Sequence, residues 1–132
     1  MTSCSPSDAG LCGPRVSATA AGHVERLLLG AVELTTGSAM PHGCVSVNTV
    51  HACAPDSEPV RQEVIARRMA GEAALRGRFE RAAELPADCD PRVLAQLVHT
   101  VTDGIAVQAA SGRSRDQLQQ VADLALRTLF QL

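Results

Sequence analysis

The chain is predicted to be an all-α domain, and three features of the sequence carry that prediction. Its apolar residues recur at steps of three and four through several long stretches, the spacing of one face of a helix. Those stretches are bracketed by start and stop signals, such as Asp90-Pro91 and Ser114-Arg115-Asp116-Gln117. With no Trp or Tyr, and Phe only at 79 and 130, the core must be aliphatic, which suits helices better than strands.

At 132 residues, 45% of them hydrophobic, there is room for one domain with one core. Residues 1–15 are rich in Ser, Pro, Gly and Cys without periodicity and are expected to form a disordered or loosely attached tail. A first helix is expected from near Ser17, with Ala20, Val24, Leu27, Leu28, Ala31 and Leu34 as its stripe and Thr36-Gly37 as its end. Residues 38–43 are loop by their Gly and Pro content. Residues 44–54 (CVSVNTVHACA) suit a strand by local propensity, but no second strand exists to pair with it. A short buried helix ending at Pro55 is the better reading.

Asp56 or Ser57 then caps a long helix running to about Glu84, with Val60, Val64, Leu75, Phe79 and Ala82 on its buried side. Glu63–Arg67 and Glu72–Arg76 are i,i+4 pairs in the favourable direction. Gly71 and Gly77 cost helix propensity and suggest close helix approach. Residues 85–89 break the helix.

The last stretch, 90–132, is a helical hairpin. Asp90 caps the fourth helix and Pro91 takes its first position, where a missing N–H costs nothing. Leu94, Leu97, Val98, Val101, Ile105 and Ala109 form the stripe, and Gly112 closes the helix in a left-handed conformation. Ser114 and Gln117 form a capping box that opens the fifth helix. Along it, Leu118, Val121, Ala122, Ala125, Leu129 and Leu132 are joined by Leu124, Leu126 and Phe130 on the flanks. An apolar arc this wide exceeds one packing face, so the hairpin is expected to meet a second copy of itself in a four-helix interface about a two-fold axis. Ile105 and Ala109 would serve that interface from one helix. Leu118, Val121, Ala122, Leu124, Ala125, Leu126, Leu129 and Phe130 would serve it from the other. The alternative is a terminal helix buried within one chain.

A net charge of −2 and a pI near 6.0 give no electrostatic reason for this chain alone to bind nucleic acid. Five scattered cysteines without C-x-x-C spacing, and no signal-peptide pattern, point to reduced thiols in the cytoplasm. No apolar run approaches membrane-spanning length.

Three segments together resemble the C-terminal domain of TetR/AcrR-family transcriptional regulators. They are Pro41-His42-Gly43-Cys44 opening a Val-rich helix, the Arg/Ala/Glu-rich helix ending in Glu84-Leu85-Pro86-Ala87-Asp88, and Asp103-Gly104-Ile105-Ala106-Val107-Gln108-Ala109 followed by Ser111-Gly112-Arg113-Ser114-Arg115-Asp116-Gln117-Leu118. Each is a local helix-and-cap pattern, and their order and spacing carry the match across residues 16–132. The resemblance implies a five-helix bundle that senses an effector and dimerises through its last two helices. It also implies a DNA-binding helix-turn-helix domain in front, but residues 1–15 are too short to hold one. The chain is therefore expected to reach operator DNA only through a domain it does not contain.

The resemblance further places an effector pocket inside the bundle, suited to a small hydrophobic ligand. Matching positions are Leu28 and Val32 on the first helix, and Cys44, Val47 and His51 on the short one. Phe79 on the long helix and Val98, Val101, Thr102 and Ile105 on the fourth complete the set. The competing reading is a solid core. His42-x-Cys44 and His51-x-Cys53 raise a metal site, since imidazole and thiolate are zinc or copper ligands. Helical geometry opposes it, because Cys53 points away from the face shared by Cys44 and His51. No metal or cofactor is therefore expected. Nothing marks an enzyme: there is no nucleophile elbow, no H-E-x-x-H and no glycine-rich phosphate loop. Two other classes remain, a ligand-free helical interaction protein forming homo- or heterodimers, and a metal or thiol sensor.

Overall fold

The computed structural model describes residues 19–37, 55–82, 84–85 and 88–131. Among them are four α-helices: α1 (Ala20–Thr36), α2 (Glu58–Arg81), α3 (Pro91–Ala110) and α4 (Arg115–Phe130). A single 3-10 turn, Pro55–Ser57, leads into α2. The fold is an all-α bundle. The short helix expected over 44–54 and the tail over 1–15 lie outside the described residues. No described helix is long and apolar enough to cross a membrane.

The chain folds around α1. Thr19 caps it, its hydroxyl accepting from the Gly22 N–H at 3.1 Å. Ala20, Val24, Leu28 and Val32 recur every fourth residue, and this ridge is buried to within 1%. The ridge is covered because α1 packs against both α3 and α4, and each of those packs more on α1 than on the other. Thr35 extends the ridge as a buried polar residue and spends its hydroxyl on the Ala31 carbonyl at 2.6 Å. Leu34, expected on the stripe, is instead 85% exposed, and Leu27 sits at the edge of the buried face. A stripe at mixed steps of three and four runs off the i,i+4 ridge that the neighbouring helices cover. At the far end of α1, Glu33 forms an ion pair with Arg115 at the start of α4.

The second ridge belongs to α3. Asp90 caps it, its carboxylate accepting from the Arg92 N–H at 2.8 Å, and Pro91 occupies the first turn. Leu94, Ala95, Val98, Ile105, Ala106 and Ala109 are buried. At its end the Gly112 N–H donates to the Ala109 carbonyl at 3.1 Å and the Arg113 N–H to the Gln108 carbonyl at 3.0 Å. This is a Schellman closure, with Gly112 in the left-handed region at φ 95. Immediately after it, Ser114 accepts from the Gln117 N–H at 3.2 Å while the Gln117 side chain accepts from the Ser114 N–H at 3.0 Å. The hairpin turn thus satisfies its own backbone groups.

Helix α2 packs on α3, and its fully buried residues lie in its C-terminal half. Leu75 and Phe79 are buried, whereas Val60 is 56% exposed and Val64 and Ala82 are half-buried, so the buried side expected along the whole helix is confined to its last turns. The helix ends at Arg81, where Ala82 turns extended and its N–H caps the Phe79 carbonyl at 3.1 Å, rather than near Glu84. The Glu63–Arg67 pair forms at 2.9 Å, but Arg76 pairs forward with Glu80 at 2.7 Å instead of back with Glu72. Neither helix glycine marks an obligatory close approach: a methyl at Gly71 would lie 3.9 Å from His99 Cε1, and at Gly77 it would meet the flexible end of Arg81. Arg68 and Asp103 form the ion pair that ties α2 to α3.

Two outcomes test this packing. Phe79 is fully buried, so Phe79→Ala is expected to cost about 3–5 kcal/mol in denaturant unfolding, whereas Gly112→Ala should cost about 1–2 kcal/mol from backbone strain alone. The His23 imidazole on α1 is held below its ordinary value of 6.5, first by burial and then by the cations Arg26 and Arg78. Folding therefore favours the neutral ring. Its contribution is present above the unfolded value and is lost as pH falls through the lower folded one. Stability measured by denaturation is expected to decline as pH drops below 6.5, and His23→Gln is expected to flatten that part of the profile.

Candidate functional site

The inner flank of the hairpin is committed to the core, so its function must lie on what the core leaves over. On α4, Leu118 and Ala122 are buried and Ala125, Leu126, Leu129 and Phe130 pack half-buried against the core. Val121 and Leu124 point elsewhere, at 50% and 59% exposure. On α3, Leu97 is 41% exposed and Val101 half-buried, along a flank that continues through Gly104 and Gln108.

These two flanks face one another across an open groove of about 700 Å³. Val101, Gly104, Ile105 and Gln108 line it from α3, and Gln117, Leu118, Gln120, Val121 and Leu124 from α4. Arg113 closes one end, its Nε donating to Gln108 Oε1 at 3.3 Å. The pattern is an apolar floor with an amide and guanidinium rim, the composition of a protein interface rather than of a catalytic cleft. Nothing lies within 4 Å of a methyl placed at Gly104, so that glycine leaves room over the groove that none of the described residues fills. Its place on the outer flank, three residues after Val101, is a helical-spacing signal available in the sequence, as are those of Gln108 and Gln117.

The ten residues expected at an interface therefore divide. Val121 and Leu124 lie on the groove, and Ile105 and Leu118 form its buried floor. Ala109 and Ala122 are sealed in the chain's own core. Ala125, Leu126, Leu129 and Phe130 form the half-buried margin between them.

Of the seven described residues expected to line an effector pocket, five fall in the core. Leu28, Val32, Phe79, Val98 and Ile105 are all buried to 2% or less and join one cluster. Val101 lies on the groove instead, and the half-buried Thr102 gives its hydroxyl to the His99 carbonyl at 2.9 Å. Cys44, Val47 and His51 lie outside the described residues, as do His42 and Cys53.

Among the described residues, no three His, Cys, Asp or Glu side chains gather as a metal ion would require. Cys89 is half-buried, and burial with the neighbouring Asp90 pushes its thiol up from its ordinary value. It stays protonated at neutral pH, and a protonated thiol is a poor nucleophile and metal ligand. At the start of α2, Glu58 is held below the ordinary carboxylate range chiefly by its hydrogen bond from Gln62 at 2.7 Å. That contact is a surface helix pair, remote from the groove in sequence.

No family model matches the chain. It is 27% identical over 95 residues to the HTH-type transcriptional repressor ComR of Escherichia coli (strain K12), a match that takes in 70% of this chain and 45% of the repressor. Its fold matches the TetR family transcriptional regulator CifR, solved as a cysteine-substituted variant with 26-base-pair operator DNA, at a TM-score of 0.76 and 32% identity. That match covers 86% of this chain and 60% of the regulator. A second structure of the same regulator, also with operator DNA, matches at a TM-score of 0.75 and 33% identity over 84% of this chain and 60% of its own. The chain thus spans less than two thirds of the length of the regulators it resembles. In fold and in sequence the chain is similar to part of a TetR family transcriptional regulator.

Proposed function

We propose that this chain is the effector-sensing and dimerisation part of a TetR-type repressor, joined to its second copy across the α3/α4 groove. The observation that carries the reading is the outward apolar flank common to both helices of the hairpin. Leu97, Val101, Val121 and Leu124 remain exposed or half-exposed after the core is complete, around the open space over Gly104. A two-fold axis through this groove would set the hairpin of one copy against that of the other, and self-complementary contacts close without open ends. The likeness to regulators solved on operator DNA supports the assignment of the whole protein as a repressor that binds DNA through a helix-turn-helix domain. The domain would take in residues 16–132, with a fifth helix over 44–54, and would work in the cytoplasm.

Sensing follows from the aliphatic interior. Leu28, Val32, Phe79 and Val98, together with Cys44, Val47 and His51, would surround a small hydrophobic effector held mainly by burial. An effector that prefers one of two arrangements of the dimer shifts the spacing of the DNA-binding heads, because a ligand moves an equilibrium only by its difference in affinity for the two states. The second reading, a ligand-free helical partner that pairs with itself or a relative, is favoured by how completely those four core residues are buried.

The interface is tested at two positions that the monomer does not need. Val121→Asp and Gly104→Trp are expected to convert a dimer to a folded monomer in light scattering and sedimentation, and an unchanged dimer in both would overturn the groove as the interface. Leu126 is a poorer choice because it also packs on the core. For the effector, a panel of small hydrophobic compounds is expected to raise the melting temperature of the chain, as ligand binding to the native state must. No response across the panel would leave the interaction-protein reading standing.

A further inference from the structure

The outer face of α4 carries a charge pattern that the described residues leave unused. Asp116, Gln120, Leu124 and Arg127 follow one another at helical steps, a single stripe along the helix. Gln120 and Leu124, in its middle, line the α3/α4 groove. Asp116 stands in the first turn and Arg127 in the last, about three turns and 16 Å apart along the axis. Asp123 is exposed on the adjoining flank. Among the described residues Asp116, Asp123 and Arg127 have no ion-pair partner, and Gln120 has no hydrogen-bond partner. The other two amides of the groove are already spent, Gln108 on Arg113 and Gln117 on Ser114.

Opposite charges at the two ends of one stripe make it complementary to itself when reversed. With two copies of α4 antiparallel and the two-fold axis between Val121 and Ala122, Asp116 comes level with Arg127 of the partner subunit, and symmetry repeats the contact. The same register sets Gln120 level with Asp123 of the partner subunit, where an amide N–H donates to a carboxylate. That axis falls within the stretch of α4 that lines the groove, Gln117 to Leu124. At a crossing angle of about 20°, ends about 8 Å from the axis stay within reach of long side chains. A parallel arrangement would instead set Asp116 beside Asp116 and Arg127 beside Arg127. An acid in the first turn and a base in the last also offset the helix dipole, but the dipole does not require the two to share the stripe that borders the groove.

We propose that α4 pairs antiparallel with α4 of a second copy, and that reciprocal Asp116–Arg127 contacts select an identical partner. The inference rests on the α3/α4 groove being the dimer interface, and it adds what fixes the direction of pairing and the choice of partner. Exposed ion pairs contribute little affinity. Their effect is on which alignments are tolerated, because a wrong partner or register brings like charges together or leaves them unmatched.

The test is sedimentation equilibrium of the full chain at low salt, with thermal unfolding of each variant to confirm its fold. Asp116→Arg and Arg127→Asp each create two like-charge contacts across the axis, and each is expected to weaken self-association about tenfold or more. Mixing the two variants is expected to restore the dimer, because both contacts in the mixed pair join opposite charges. The chain carrying both substitutions is expected to pair with itself again. Asp116→Asn and Arg127→Gln, which remove a charge without reversing it, are expected to weaken self-association less and to lower its dependence on salt. A role confined to the helix dipole would shift the unfolding temperature of each variant and give no recovery on mixing. A monomeric wild-type chain would overturn the dimer and this contact together. With a dimeric wild type, single variants that dimerise as it does, or a mixture that fails to recover, would overturn the contact alone.

Discussion

Everything in this fold is referred to one ridge, the side chains of Ala20, Val24, Leu28 and Val32 on α1. They fill the space between α3 and α4 and are themselves covered by both. Two helices joined by so short a turn would otherwise close directly on each other. With α1 as their shared partner, they spend their inner faces on it and leave opposite flanks apolar and exposed. The groove is the other side of the same arrangement. What α1 covers is core, and what α1 cannot reach is available to another molecule.

The magnitudes favour this division. Full burial of a large aliphatic or aromatic side chain is worth about 1.5–3 kcal/mol, so the ridge with Phe79, Leu94, Val98 and Ile105 dominates the packing of the bundle. Three of the ion pairs among the described residues are contacts on the surface of α2, each worth at most about 1 kcal/mol. Glu33–Arg115 and Arg68–Asp103 differ in kind, because each joins two helices and fixes their relative position. Their contribution is one of register more than of stability.

The sequence was legible where the physics is local. Asp90 and Pro91, Gly112, and the Ser114–Gln117 box announce helix ends through atoms a few residues apart, and each takes its expected role. Helical period likewise marks the stretches that become α1, α3 and α4. It does not say which side of a broad apolar face a neighbour will cover. Leu34 and Val60 look like core residues by period and are exposed, because the partners of α1 and α2 lie on other flanks. For the same reason the wide arc of α4 could not be divided in advance between Leu118, which is sealed, and Val121, which is not. Arg76 had a glutamate four residues away on either side, and spacing alone did not choose between them. The concave shape of the groove depends on where α1 lies, and no local pattern records that.

The turn between α3 and α4 has a bearing on the order in which the molecule assembles. Its glycine closure and its serine–glutamine box complete their hydrogen bonds within a few neighbouring residues, so the turn can form before anything distant has arrived. α1 comes from the other end of the chain, and docking it requires a long segment to lose its freedom before any contact repays the loss. A turn formed early, with its two helices packed only when α1 docks between them, is the sequence of events this topology favours.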